Sequence, residues 1–262
     1  MHQYLFFIGN FPIRLYGIFF SLGIISGCIT AYFLLKKDRR GWESHMFDLG
    51  LVIAFAGIVG GRLWDVFFFD WEYYHNHLLE IPYIWQGGMA IQGGIIFACI
   101  AAYFYLKKHQ IPVLPFADTV TPGIILGQAI GRIANFMNGD AFGHPTGQDF
   151  GLLYPDTTLA YHTYGAQPLW PAEVWECQGD LLIFVLLLWY GCKTRAEGTT
   201  FCLYIMFYSL LRFLLENYRG DYGTLALGLK SAQLTSLAAF AGAFILFLYF
   251  HFKHKSKSGI SE

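Results

Sequence analysis

Polar side chains that could carry chemistry recur on one face of an otherwise apolar segment near residue 130. Gln128, Arg132 and Asn135 are spaced four and three residues apart, which places them on one face of a helix. Asn138 ends this segment, and Asp140 follows two residues later. A planar guanidinium group binds phosphate oxygens through two parallel hydrogen bonds. The pattern indicates either a site for a phosphate-bearing ligand or a hydrogen-bond network between helices.

A second polar series lies in a later apolar segment, where Tyr208, Arg212 and Glu216 follow one another at intervals of four residues. Arg212 and Glu216 could neutralise each other. However, Arg132 and Arg212 both stand toward the same end of their segments, so we expect the two guanidinium groups to hold one phosphate. Three acidic residues of another apolar segment could balance these arginines or transfer protons: Glu173, Glu176 and Asp180.

The elements that position these residues are predicted to be membrane helices. Hydrophobic residues form 55% of the 262-residue chain and charged residues 13%, whereas an ordinary soluble domain has about 25% charged residues. A net charge of −1 gives no basic surface for nucleic acid. A bilayer-crossing helix needs about 20 mainly apolar residues, and seven stretches qualify: 13–35, 46–68, 88–106, 113–137, 173–191, 199–217 and 231–252. The sequence therefore predicts an all-α integral membrane protein, with one polytopic domain over residues 1–262.

The distribution of lysine and arginine predicts how this domain is oriented, because cytoplasmic loops are enriched in both. Eleven of the 17 basic residues fall on one side of the predicted membrane: Lys36, Lys37, Arg39, Arg40, Lys107, Lys108, Lys193, Arg195, Lys253, Lys255 and Lys257. The loops near 69–87 and 138–172 contain neither lysine nor arginine. These loops and the N-terminus are thus expected outside, and the C-terminus in the cytoplasm.

Glycines and a further charged pair suggest helix packing. Gly123, Gly127 and Gly131 recur every four residues, a spacing that gives a smooth helix face for close contact with another helix. Arg62 and Asp65 are three residues apart, so they could form an ion pair within a helix or contact a lipid headgroup. The cysteines and histidines lack the spacing of metal ligands, and we expect no metal.

The run from Gly131 to Gly143 resembles the signature of prolipoprotein diacylglyceryl transferases, which reads G-R-x-x-N-F-x-N-x-E-x-x-G. Asp140 stands where that family usually has glutamate. The resemblance covers most of the chain, and further matches to family motifs are Tyr16-Gly17, Gly60-Gly61-Arg62, Gly87-Gly88-Met89, and Tyr208 with Arg212 and Glu216.

Two positions depart from the family pattern. Gln92 replaces the histidine of Gly-Gly-Met-x-x-His-Gly-Gly, a residue often assigned a catalytic role. Trp170 replaces the histidine of His-Pro-Ser-Gln-Leu-Tyr-Glu, a motif in which Glu173 takes the place of the glutamine and Glu176 is retained. Because a glutamine side chain accepts no proton at neutral pH, a mechanism that uses the first histidine as base fails in this chain.

The resemblance implies transfer of the diacylglyceryl group of phosphatidylglycerol to the lipobox cysteine of a prolipoprotein signal peptide, in the plasma (inner) membrane of a bacterium. It implies no cofactor and no nucleic-acid partner. The expected catalytic residues are Arg132, Arg212, Asp140 and Glu216, where the two carboxylates position the arginines or accept the thiol proton. The expected substrate contacts are Tyr16, Arg62, Gln92, Asn135, Asn138, Gly143 and Tyr208.

Two other functions remain open at this point. The loss of two histidines fits a family member that has lost catalysis and binds phospholipid or lipoprotein signal peptides. A small-solute transporter would place polar residues along a path through both leaflets. Here the polar residues gather toward the outer half of the predicted membrane, which favours the transferase.

Overall fold

The computed structural model describes residues 3–9, 11–191, 196–220 and 228–258. Lys193 and Arg195, two of the basic residues expected in the cytoplasm, lie outside these ranges, as does Cys192.

All seven stretches predicted from apolar runs are helical. In chain order the elements are β1 (Tyr4–Ile8), β2 (Phe11–Arg14), α1 (Leu15–Asp38), α2 (Met46–Trp64), α3 (Trp71–Tyr74), α4 (Ile91–Lys108), α5 (Val113–Asn138), α6 (Leu159–Tyr164), α7 (Ala172–Gly191), α8 (Thr199–Leu215) and α9 (Ser231–Ser258). A π-helical segment, Asp65–Phe69, continues α2. The strands β1 and β2 form an antiparallel hairpin, which the apolar pattern did not predict.

Five segments are long and apolar enough to cross a membrane: Leu15–Asp38, Trp42–Phe69, Val113–Asn138, Thr199–Tyr218 and Ser231–Ser256. The other two predicted spans are α4, which ends in Lys107 and Lys108, and α7, which contains three acidic residues. In lipid, a helix is favoured because it satisfies its backbone polar groups internally. The chain is therefore a multi-pass membrane protein, while the count of seven spans and the orientation stay predictions.

Large apolar side chains cover the outside of these helices. Leu51 and Phe55 on α2, Leu182 on α7 and Ile245 on α9 are all more than half exposed. A soluble monomer rarely exposes apolar surface so extensively. Contact with lipid chains explains these side chains.

The described residues pack into two compact units. The first comprises residues 1–34 and 117–262, and the second comprises residues 35–116. The single polytopic domain expected from the sequence stays a prediction.

In the first unit, α1 and α5 meet through glycines with their backbones in contact. A Cβ atom on Gly123 would lie 2.4 Å from the carbonyl oxygen of Gly27, and one on Gly23 would lie 2.8 Å from that of Gly127. Small residues permit this approach, which supplies van der Waals contact in a membrane. The predicted groove is confirmed for Gly123 and Gly127. It was wrong for Gly131, because a Cβ atom there would meet no described atom within 4 Å.

The second unit contains an equally close contact between α2 and α4. A Cβ atom on Gly60 would lie 2.6 Å from the carbonyl oxygen of Gly93, and one on Gly93 would lie 2.2 Å from that of Gly60. Ala90 donates its backbone N–H to Gly61 at 3.0 Å, just before α4 begins. The glycine pairs of this unit therefore serve helix packing.

Asp118 near the start of α5 determines where α8 begins. Its carboxylate accepts hydrogen bonds from the backbone N–H groups of Gly198, at 2.6 Å, and Phe201, at 2.9 Å. The first N–H groups of a helix have no partner within the helix, and a negative charge there is stabilised by the helix dipole. This buried carboxylate holds the start of α8 against α5.

Candidate active site

Glu176 on α7 is the centre of a charged network in the first unit. Its carboxylate lies 3.0 Å from Arg132 on α5 and 3.2 Å from Arg219, which follows α8. It also accepts a short hydrogen bond from Arg212 on α8. The side chains of Arg132 and Arg212 are 18% and 15% exposed, while that of Glu176 is 3% exposed. The two arginines expected to act together therefore converge, and the carboxylate between them is almost buried.

A second carboxylate, Glu216, supports the other side of Arg212. The two side chains lie 2.8 Å apart, and Glu216 is fully buried. Arg219 and Lys230 each approach Glu216 to 3.9 Å. The Lys230 ammonium also donates to the backbone carbonyls of Glu216 and Arg219. Because each buried charge has a partner of opposite sign, the network avoids much of the cost of burying isolated charges.

Tyr208 binds Nη2 of the Arg132 guanidinium, the terminal nitrogen that does not contact Glu176. Its hydroxyl accepts a hydrogen bond from Arg132 at 3.2 Å, and its ring stacks on that of Tyr204, one turn earlier on α8. The Tyr204 hydroxyl in turn donates to Gln128 at 2.9 Å. Two tyrosines of α8 thus bind the polar face of α5 that the sequence predicted.

Asp140 is held by two asparagines at the end of α5. Its two carboxylate oxygens accept hydrogen bonds from the side-chain amides of Asn135, at 2.7 Å, and Asn138, at 2.8 Å. Tyr16 on α1 is close enough to interact electrostatically with both Asp140 and Arg132. The structure thus brings together the residues predicted on α1 and at the end of α5.

Gly143 occupies a tightly packed position in the loop that follows α5. A Cβ atom there would lie 2.2 Å from the Trp170 carbonyl oxygen, and Gly143 pairs with Arg219 in a short antiparallel bridge. His144 donates its backbone N–H to Tyr218 next to this bridge. Gly143 was predicted to contact substrate. In the structure it brings the backbone of the loop against Arg219.

Trp170 belongs to an aromatic cluster beside this bridge. Its ring lies 5.5 Å from that of Trp175 and 5.5 Å from that of Tyr218, measured between centroids. An indole cannot act as a base at neutral pH. This cluster packs the loop onto the start of α7.

A tyrosine of the same loop binds the first acidic residue of α7. Tyr154 donates a short hydrogen bond to the carboxylate of Glu173, which is fully buried. Burial and the neighbouring Glu173 carboxylate raise the pKa of Tyr154 above its usual value. The hydroxyl therefore stays protonated and donates to the carboxylate at neutral pH.

Arg62 lies in the second unit, where it anchors a loop. Its guanidinium donates to the backbone carbonyls of Ile81, Gly87, Gly88 and Glu80 at 2.7 to 3.0 Å. It also lies over the ring of Tyr74, 4.8 Å from the centroid. These contacts hold the segment that leads into α4, where Gln92 is exposed near the start of the helix.

Comparison with known proteins identifies the family. The model of the prolipoprotein diacylglyceryl transferase family matches residues 3–249. The chain belongs to the prolipoprotein diacylglyceryl transferase family. Several relatives bear the name phosphatidylglycerol–prolipoprotein diacylglyceryl transferase. One from Clostridium botulinum is 35% identical, over 90% of this chain and 92% of the relative. One from Staphylococcus saprophyticus is also 35% identical, over 88% and 82%. One from Geobacillus kaustophilus is 36% identical, over 88% and 85%.

The sequence of this prolipoprotein diacylglyceryl transferase family member did not reveal that Glu176 lies at the centre of the charged network. Sequence reasoning named this residue as a possible partner of the arginines, which is confirmed, but not as one shared by three of them. It also left Arg219 and Lys230 outside the site. The spacing of Arg219, three residues after Glu216, was the available signal, whereas Lys230 lies beyond the end of α8 and gave none.

Proposed function

We propose that this protein transfers the diacylglyceryl group of phosphatidylglycerol to the lipobox cysteine of prolipoprotein signal peptides in the bacterial plasma membrane. The thiol sulfur bonds to the glycerol carbon that carries the phosphate ester, and glycerol phosphate leaves. One observation carries this proposal beyond family membership. Arg132 and Arg212, from two different helices, converge at a partly exposed position with their guanidinium groups on a single anionic group.

The chemistry of the step explains why arginines are needed. The leaving phosphate gains negative charge as its bond to carbon breaks, and preorganised cations stabilise that charge. A free thiol has a pKa of about 8.5, and adjacent cations lower it toward the thiolate. Arg132 and Arg212 can therefore serve both partners of the reaction.

The remaining predicted residues fall into supporting roles. Tyr208 and Glu216 orient the two arginines through the contacts described above. Tyr16, which interacts electrostatically with both Asp140 and Arg132, is proposed to orient the glycerol headgroup together with Asp140. Asn135 and Asn138 hold Asp140 in place. Arg62 and Gln92 are proposed to contact lipid from the second unit.

The test is a transferase assay read by mass spectrometry. Purified protein is incubated with phosphatidylglycerol and a lipobox peptide, and the wild type is expected to add a diacylglyceryl group to the cysteine. Arg132→Ala should reduce the rate by about 10²–10³-fold, as for loss of one donor to a developing oxyanion. Arg14→Ala is the matched control, because Arg14 is an exposed arginine of the same unit. It is expected to keep the wild-type rate.

The replacement of two histidines supports a second candidate, a family member that binds lipid or signal peptide without catalysis. This reading predicts that folded wild-type protein binds phosphatidylglycerol but forms no adduct. An adduct that disappears in Arg132→Ala would exclude it.

A further inference from the structure

The position expected for the lipid phosphate is already held by a carboxylate of the protein. Glu176 contacts the Nη1 atoms of both Arg132 and Arg212. Carboxylate and phosphate groups bind the same N–H groups at the edge of a guanidinium group, each through paired hydrogen bonds. The other terminal nitrogen of Arg132 is bound to Tyr208. A phosphate that bridges the Nη1 atoms of Arg132 and Arg212 must therefore compete with Glu176.

The contacts of the two carboxylates determine which one is displaced. Glu216 is fully buried and is surrounded by Arg212, Arg219 and Lys230. Glu176 lies between the two arginines that retain some exposure. A ligand that binds both arginines through their Nη1 nitrogens takes the contacts of Glu176, whereas Glu216 contacts Arg212 through the other terminal nitrogen and stays in place.

We propose that Glu176 holds the phosphate position until the lipid binds and then accepts the proton of the substrate thiol. This inference rests on the proposed transferase function. When the phosphate takes Arg132 and Arg212, Glu176 loses two of its three guanidinium partners, keeps Arg219 and gains an anionic neighbour. Lipid binding thereby turns a carboxylate that is neutralised by arginines into a base.

The step balances in atoms and charge. The thiol proton moves to a Glu176 carboxylate oxygen, and the thiolate attacks the glycerol carbon. A carbon–sulfur bond forms while the bond between that carbon and the phosphate oxygen breaks, and its electron pair leaves with glycerol phosphate. The proton then passes from Glu176 to the departing phosphate or to water. Glu176 finally returns to Arg132 and Arg212.

Other carboxylates of the first unit are less suited to this role. Glu173 is fully buried and is bound by Tyr154. Asp180, one turn further along α7 than Glu176, is fully buried as well. Asp140 accepts two amide hydrogen bonds that a bound phosphate does not displace. Among the carboxylates of the described residues, Glu176 is the one that contacts both arginines.

The decisive variant is Glu176→Gln, which keeps the size of the side chain and removes its capacity as a base. It is assayed with two lipobox peptides, one with cysteine and one with selenocysteine at the acceptor position. A selenol is ionised at neutral pH and needs no base. With the cysteine peptide, the variant should be about 10²–10⁴-fold slower than wild type, the usual contribution of a general base. With the selenocysteine peptide, variant and wild type should agree within about tenfold.

The replacement of Glu176 by the lipid phosphate is tested separately. Native mass spectrometry measures the binding of phosphatidylglycerol in the absence of peptide. Glu176→Gln should bind the lipid at least as tightly as wild type, because the competing charge is gone. Weaker lipid binding, or an equal loss of rate with both peptides, would show that Glu176 merely holds the arginines and would overturn the proposal. If wild type modifies neither peptide, the proposed function fails. The binding comparison still decides whether Glu176 competes with the lipid.

Glu173→Gln is the matched control. It removes a buried carboxylate that contacts Tyr154, one turn earlier on α7 and at a position where the family pattern has glutamine, and should keep both rates. Should Glu176→Gln not fold, Glu176→Asp replaces it. The aspartate side chain is shorter, so its carboxylate lies farther from the thiol. The proposal then requires a larger loss of rate with cysteine than with selenocysteine, and equal losses would contradict it.

Discussion

At the scale of single residues, the arginines of this site share their charge with carboxylates before any lipid arrives. Arg132, Arg212 and Arg219 all contact Glu176. Arginines without a carboxylate partner would bind the glycerol phosphate product at least as strongly as the lipid, since the product carries more negative charge. A carboxylate that competes for the same nitrogens weakens both complexes and favours product release. The network therefore suits turnover better than tight binding.

Gln92 provides a test of whether the site needs the histidine that the family usually has. If the base is a carboxylate near Arg132, a histidine at position 92 adds little, and Gln92→His should change the transfer rate by less than about tenfold, below the usual contribution of a general base. The rate is measured with the cysteine peptide, and Gln92→Ala is assayed alongside to show what the amide contributes. A much larger gain with histidine would indicate that the native chain lacks a base, and would count against Glu176 in that role.

The types of residue in the site could be predicted from the sequence, but most of their contacts could not. Arg132 and Arg212 stood out because arginine is costly in an apolar segment. Their shared contact with Glu176 joins three helices that are far apart in the chain, so no local spacing reveals it. Lys230 gave no signal, because a lysine between two apolar segments is expected in any loop.

At the scale of elements, the glycine contact between α1 and α5 determines how the parts of the site meet. Tyr16 lies on α1, and Arg132 lies on α5 nine residues after Gly123. Both side chains depend on the distance between the two helices. The glycine spacing on α5 was visible in the sequence. Its partner was not, since any membrane helix with small residues could have served.

Gly123→Ala tests this contact. The added Cβ atom would lie 2.4 Å from the carbonyl oxygen of Gly27, so the helices must move apart. Such overpacking costs about 1–3 kcal/mol and should lower the thermal unfolding midpoint in detergent by several degrees. Gly131→Ala lies on the same helix, where a Cβ atom meets no described atom within 4 Å, and should leave the midpoint unchanged. Equal midpoints for the two variants would mean that the helices do not meet at Gly123.

At the scale of the whole molecule, orientation decides whether the site can reach its substrate. Secreted prolipoproteins present their cysteine at the outer face of the plasma membrane. The proposed function therefore requires the loop that carries Asp140 and Gly143 to lie outside. The absence of lysine and arginine from residues 138–172 agrees with this, because positive charges are retained on the cytoplasmic side. Apolar length alone does not decide the number of spans, since α4 and α7 are not among the five segments that are long and apolar enough to cross a membrane.

Cysteine labelling in cells tests the orientation, and with it whether α5 crosses the membrane. In a background without the five native cysteines, Thr163→Cys and His109→Cys each place one exposed thiol, in the 138–172 loop and just after α4 respectively. Seven spans with the N-terminus outside predict that a membrane-impermeant maleimide labels Thr163→Cys in intact cells. His109→Cys should be labelled only after the membrane is permeabilised. Labelling of both in intact cells would mean that α5, which lies between the two positions, does not cross the membrane. Labelling of His109→Cys alone would place Arg132 and Arg212 toward the cytoplasm, where a secreted prolipoprotein could not reach them.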